Sequence, residues 1–165
     1  MKWRRPALDG DILGRLEMAP RERVLAWADD GFGRPVVASD NALHVQRLPP
    51  DYSRFGWEQI ERASYDAGTL TVVLSADLGG ATLQIPVGDG RDVPVVVRDR
   101  VTATVLVDRF FVLDGEWGVR IVGRRGPSGD VAWRADLDPQ LTDDPAARAD
   151  AAVVLAEVKA EVGGG

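Results

Sequence analysis

Short β-strand patterns, separated by turn residues, fill most of this 165-residue sequence and are followed by one long amphipathic helical pattern over residues 145–162. Alternating apolar residues predict strands that bury one face, and the Gly, Pro, Asp and Asn residues between them predict tight connections. Short strands must bury their apolar faces on another sheet or on a helix. The order therefore predicts a mainly β fold, a small antiparallel barrel or sheet capped by the C-terminal helix.

The first half of the chain contains six predicted strands, at residues 24–27, 35–38, 42–46, 57–64, 70–74 and 81–87. Ser39-Asp40-Asn41 is typical of a hairpin connection, whereas Pro49-Pro50-Asp51 predicts a loop. Within the strand pattern at residues 57–64, Ile60 and Ala63 are expected to be buried.

The second half begins with the strongest alternation in the sequence, which predicts one long strand over residues 101–113. Asp114-Gly115 supplies a tight-turn dipeptide, and two further strands are predicted at residues 118–124 and 131–133. These three strands are expected to form a β-meander.

The final helix has clear boundary signals. Asp144 is the predicted N-cap, Pro145 takes the first helical position, and Gly163 marks the end. One apolar stripe is expected to face the core; it contains Ala147, Ala151, Val154, Leu155, Val158 and Val162. We expect an N-terminal arm or a short helix capped by Asp9 or Asp11 over residues 1–20, one domain over residues 20–162 and a flexible tail over residues 163–165.

Three phrases carry a family resemblance: residues 36–43 (VVASDNAL), residues 57–60 (WEQI) and residues 65–72 (YDAGTLTV). They resemble the early strands of bacterial pleckstrin-homology-like domains, over about half the chain. The resemblance implies a bent antiparallel barrel closed by a C-terminal helix and an adaptor-like role without a fixed activity. It does not extend to the basic first hairpin that holds phosphoinositides, because residues 28–35 offer Asp29 and Asp30 but only Arg34.

Composition excludes several function classes. Twenty basic and 26 acidic residues give a net charge of −6, which disfavours binding to nucleic acid. The chain has no cysteine, and hence no disulfide or thiolate metal site. The basic start meets Asp9 and Asp11 where a secretory signal needs an apolar stretch, and no apolar run is long enough to span a membrane. A cytoplasmic protein is expected.

Side chains that could support catalysis are few. His44 is the sole histidine and lies in a predicted strand, so a structural role is favoured over that of a base. Asp136 and Asp138 follow another strand, where two roles are open: turn and helix capping with Asp144, or an incidental cation site. No nucleophile or phosphate-loop motif is present. We predict neither an enzyme nor a cofactor.

Weak binding candidates are the arginines and tryptophans around the predicted meander: Arg98, Arg100, Arg120, Arg124, Trp117 and Trp133. Alternate arginines would share a sheet face and could hold an anionic ligand or a partner. Paired surface charges and core packing of the indoles are the alternatives. A further basic cluster, Lys2, Trp3, Arg4 and Arg5, could touch a membrane surface.

The function expected from these observations is a non-catalytic interaction module that binds a protein or peptide along an open sheet edge or beside the capping helix. The alternative is a barrel that binds a small apolar or anionic molecule, with tryptophans as walls and an arginine as anchor.

Overall fold

The computed structural model describes residues 7–164. Contacts divide the chain into two compact units, one ending at Ala103 and the other beginning at Thr104. Each unit buries an apolar cluster of its own. The division falls within residues 101–113, where the sequence predicted one continuous strand.

From residue 7 onward, the first unit contains seven strands: β1 (Val24–Asp29), β2 (Pro35–Ser39), β3 (Ala42–Leu48), β4 (Asp51–Gly56), β5 (Ile60–Asp66), β6 (Thr69–Leu74) and β7 (Thr82–Pro86). They form two antiparallel sheets, a first sheet in the order β1-β2-β3-β4 and a second in the order β5-β6-β7. The sheets are not closed into a barrel. The strands on either side of the 3-10 turn Trp57–Gln59 pair within different sheets.

Strand β4 replaces part of the loop predicted at Pro49-Pro50-Asp51. It pairs with β3 over its whole length, and Phe55 packs into the apolar cluster. Its other residues, among them Tyr52 and Arg54, are mostly polar and only partly buried. Because the strand has little apolar alternation, its sequence carried no strand signal, and pairing with β3 decides its conformation.

The described residues of this part of the chain also form two α-helices, α1 (Gly10–Arg15) and α2 (Asp92–Thr104). The long strand predicted over residues 101–113 was wrong for its first four residues, which end α2. Val93, Val97 and Val101 recur every fourth residue and are all buried in the cluster with β1 to β7. Burial of this stripe outweighs the preference of β-branched residues for strands, which was the basis of the prediction.

The second unit is the predicted β-meander with the C-terminal helix. Its strands are β8 (Val105–Asp114), β9 (Trp117–Arg125) and β10 (Val131–Leu137), in the order β10-β9-β8, and its helix is α3 (Pro145–Gly163). The apolar stripe of α3 includes buried Ala151 and Val158, which cluster with Val119 and Ile121 of β9. The mainly β class with a capping C-terminal helix is therefore confirmed.

The first and last helices have the N-cap residues that the sequence predicts. Asp9 caps α1, accepting a hydrogen bond from the backbone NH of Asp11 at 2.9 Å, and Asp144 caps α3 in the same way. Gly163 is helical rather than part of a tail. The predicted membrane-contacting residues Lys2, Trp3, Arg4 and Arg5 lie outside the described residues. Within residues 7–164, no helix is both long and apolar enough to cross a bilayer.

Candidate functional site

The six binding candidates from the sequence fall into both units. Arg98 and Arg100 lie on α2 in the first unit and are exposed. The other four lie on the meander strands of the second unit. Arg98 and Arg100 therefore share a helix rather than a face of the predicted meander, because α2 extends through residues 101–104.

On the meander, the two arginines contact other side chains of the same unit. Arg120 donates from Nε to Asp108 Oδ1 at 2.6 Å, and this contact holds the pKa of Asp108 below its ordinary value. Arg124 is buried and donates to the hydroxyl of Thr104 at 3.0 Å. Arg120 therefore forms a surface ion pair with Asp108, which was one of the alternatives to a binding role.

The two tryptophans of the meander differ in burial. Trp133 packs against the apolar cluster of the second unit, and its ring lies over Gly123, where a Cβ would be 2.8 Å from the indole. Trp117 is more exposed, at 37 %. Trp133 is therefore a packing residue, whereas Trp117 retains accessible surface.

The carboxylates considered for a cation site have structural contacts. Asp138 accepts a hydrogen bond from the backbone NH of Gly118 at 2.7 Å, and Asp136 pairs with Arg134 at 2.8 Å. In the part of the chain that the structure describes, no group of three His, Asp or Glu side chains could hold a metal ion. His44 is fully buried in β3, away from solvent.

A groove of about 410 Å³ lies in the first unit, between β5 and α2. Its lining comes from three elements: Ala63, Ser64 and Tyr65 of β5, Leu70 of β6, and Pro94, Val95 and Arg98 of α2. We call this surface the β5–α2 groove. It contains Arg98, one of the residues singled out from the sequence.

Strand β5 is an edge of its sheet. It pairs with β6 on one side, and none of the described strands pairs with its other side. An exposed edge presents backbone NH and C=O groups that an added strand can pair with. Tyr65 is held near the end of this edge, since its hydroxyl donates to the carbonyl oxygen of Gly88 at 3.2 Å.

The lining of the β5–α2 groove is largely apolar with one cationic group. Val95 is 58 % exposed although it is a large apolar residue, and Tyr65 is 41 % exposed. Arg98 is the charged member of the lining. The lining residues include neither a carboxylate nor an imidazole.

A second, smaller groove of about 290 Å³ lies in the same unit beside β7. Its polar lining includes Arg34, Arg47 and Gln84, and its apolar lining includes Val45 and Ile85. Arg34 is already held by Asp30, with 2.6 Å between Nε and Oδ2. The small-molecule site expected from the sequence was a barrel interior with tryptophan walls, whereas no tryptophan lines this groove.

No family model matches this chain, and no curated protein or solved structure matches it either. The candidate site therefore stands on its own geometry. Sequence reasoning singled out Arg98 but not Tyr65, Pro94 or Val95. The missed signal is the fourfold spacing of the buried valines, which turns Val95 and Arg98 toward the other side of a helix.

Proposed function

We propose that this chain is a non-catalytic interaction module that binds an extended peptide segment of a partner protein in the β5–α2 groove. The observation that carries the proposal is the pairing of an open strand edge with an accessible helix face around one cavity. A peptide that adds a strand to β5 gains main-chain hydrogen bonds, while pockets beside the edge select its side chains.

The lining defines the chemistry of the peptide. Val95 and Pro94 offer apolar surface on α2, so the peptide should carry a hydrophobic side chain that points toward the helix. Arg98 carries a fixed positive charge and can hold a carboxylate in a bidentate manner. The preferred segment is thus extended, with one large apolar residue and one acidic residue or terminal carboxylate close to it.

The architecture of the first unit supports an adaptor role. Antiparallel strands followed by a helix that packs on them agree with the strand-then-helix order of the resemblance to pleckstrin-homology-like domains, although the two sheets do not close into the barrel that it implies. We also propose that the protein belongs to the pleckstrin-homology-like family and that it is cytoplasmic. Scaffolds of this kind have no fixed activity, so the function depends on the residues of the β5–α2 groove.

Selection from a random peptide library displayed on phage, with the intact chain as bait, tests the proposal. Arg98→Glu should weaken the binding of the selected peptides at least tenfold, because it places a negative charge next to the carboxylate of the peptide. Arg100→Glu is the matched control, since Arg100 is exposed on the same helix but does not line the groove. Fluorescence anisotropy of a labelled selected peptide gives the affinities.

Backbone amide shifts locate the bound peptide. Binding in the groove should perturb residues 61–66 of β5 most strongly, together with the amides around Val95. Equal losses for Arg98→Glu and Arg100→Glu, or shifts confined to other strands, would contradict the proposal. A library that yields no peptide above background would also count against it.

The second candidate function is binding of a small anionic molecule in the groove beside β7. The observation in its favour is that exposed Arg47 and apolar Val45 and Ile85 line the same groove. Native mass spectrometry of the purified chain would detect a co-purified ligand. The ligand should be lost in Arg47→Glu and retained in Arg98→Glu, which separates this candidate from peptide binding.

A further inference from the structure

The face of the first sheet that points away from its apolar cluster is also buried. Val37, Ser39 and His44 alternate with cluster residues along β2 and β3, and Val37 lies opposite His44 in the strand register. All three are 0 % exposed. A polar residue from the segment preceding β1, Glu22, reaches this face, and its side chain is also 0 % exposed.

The carboxylate of Glu22 is surrounded by hydrogen-bond donors. The hydroxyl of Ser39 donates to Oε1, which also lies 3.4 Å from Nε2 of His44. Arg54 of β4 donates from Nη2 to Oε2 at 3.2 Å. The backbone NH of Ala19 donates to the same oxygen at 2.6 Å. Three of these four donors come from the sheet.

Electrostatics favours a carboxylate at this position. Burial raises the pKa of Glu22, but the hydrogen bonds from Ser39, Ala19 and Arg54 together bring it below its ordinary value. The pKa of His44 lies below its ordinary value: burial, the largest influence, and Arg54 lower it, while Glu22 and Glu17 raise it. The imidazole is thus neutral at pH 7, and its Nδ1 is buried without a hydrogen-bond partner among the described atoms.

The chain that delivers Glu22 is strained. Arg21 has a φ of 67°, a left-handed conformation that is unfavourable for a residue with a Cβ. Pro20 and Arg21 lie in the turn closed by the hydrogen bond from Glu22 N to Ala19 O at 3.0 Å. Such strain persists only where surrounding contacts hold it. Here the contacts of the Glu22 carboxylate do so.

We propose that Ser39, His44 and Arg54 form a carboxylate-binding site on the first sheet, and that Glu22 of the same chain fills it. The site is separate from the β5–α2 groove and does not depend on peptide binding there. Its ligand class is a carboxylate group held by a hydroxyl, an imidazole NH and a guanidinium. When the Glu22 side chain is absent, a small carboxylate from solution binds the same three donors.

The test replaces the occupant. Glu22→Ala removes a fragment equivalent to acetate and leaves the three donors in place. Thermal unfolding of this variant is followed in sodium acetate and in sodium chloride at equal ionic strength, at pH 7. We expect acetate to raise the melting temperature by about 3 °C or more in a saturable manner. Acetamide, a neutral molecule of the same shape, should have no such effect.

The double variant Glu22→Ala with Arg54→Ala is the control for the donors, and acetate should not stabilise it. His44 gives a second readout, because it is the only histidine in the sequence and its ring protons give one set of NMR signals. These signals should shift with acetate in Glu22→Ala and remain unchanged with acetamide. If Glu22→Ala is unfolded in chloride, the same titration is followed as recovery of β-sheet circular dichroism.

Equal effects of acetate, acetamide and chloride on Glu22→Ala would overturn the proposal, as would acetate stabilisation that persists in the double variant. In either case, Ser39, His44 and Arg54 would be ordinary tethers for the Glu22 side chain rather than a site that accepts a carboxylate.

Discussion

Gly90 lies so close to Ala28 of β1 that a Cβ on Gly90 would be 2.5 Å from the Cβ of Ala28. It would also be 2.8 Å from the carbonyl oxygen of Val87. Ala28 and Val87 are both buried in the apolar cluster, so neither can shift freely. The close approach just before α2 thus requires a residue without a side chain.

We expect Gly90→Ala to lower the free energy of unfolding by about 1–3 kcal/mol, the usual cost of an extra methyl group in a packed interior. Urea denaturation followed by circular dichroism measures the change. Gly10→Ala is the control, since a Cβ there meets nothing within 4 Å. Unchanged stability of Gly90→Ala would mean that β1 and the start of α2 are farther apart than described.

At position 67, in the turn between β5 and β6, we expect a residue other than alanine to make the protein more stable. Ala67 and Gly68 have φ values of 46° and 82°, as in the two-residue turns that favour Asn-Gly. Ala67→Asn should raise the free energy of unfolding by up to about 1 kcal/mol, because asparagine tolerates the left-handed conformation better. Ala67→Val should have the opposite effect. Thermal unfolding of both variants measures the difference, and the same sign for both would contradict it.

Packing predicts unequal effects for the two tryptophans of the meander. Trp133→Ala should cost about 3 kcal/mol, since the indole covers Gly123 and contacts the apolar cluster of the second unit. Trp117→Ala should cost clearly less, because Trp117 is 37 % exposed. Chemical denaturation of the two variants gives the comparison. If Trp133→Ala were no more destabilising than Trp117→Ala, Trp133 would again be a candidate for ligand binding.

The local pattern of apolar residues predicted much of the secondary structure. It failed where burial against other elements determines whether a segment is a helix or a strand. The meander and α3 were predictable because alternation and the spacing of Ala151 and Val158 agree with the buried faces. Helix α2 was not, because Val93, Val97 and Val101 favour strands as individual residues and form a helix only against the sheets. Strand β4 lacked alternation and depends on its partner β3.

The candidate sites were less predictable than the elements. Arg98 stood out by charge, but its neighbours in the groove come from β5 and β6, about 30 residues earlier in the chain. The buried carboxylate cluster joins Glu22 to Ser39 and Arg54, which are 17 and 32 positions away. The pattern of a single sequence contains no information on such long-range contacts. None of the residues in this cluster belongs to a recognisable sequence motif.

Acidification should destabilise the protein in two steps through His44 and Glu22. The pKa of His44 is lowered in the folded chain, so below its ordinary value of 6.5 the unfolded state binds a proton that the folded state rejects. Stability therefore falls as the pH drops below about 6.5 toward the folded pKa. The lowered pKa of Glu22 gives stability that is present above 4.5 and is lost as the pH falls through its folded pKa.

Urea midpoints measured from pH 7.5 down to about pH 2.5 cover both steps. His44→Gln should remove the decline that begins near pH 6.5 while leaving the acid step, since glutamine does not titrate. Glu22→Gln should reduce the acid step, although Asp108, whose pKa is lowered by Arg120, will still contribute there. Because His44 is the only histidine, an undiminished decline between pH 6.5 and pH 5 in His44→Gln would show that the buried imidazole does not set the pH dependence.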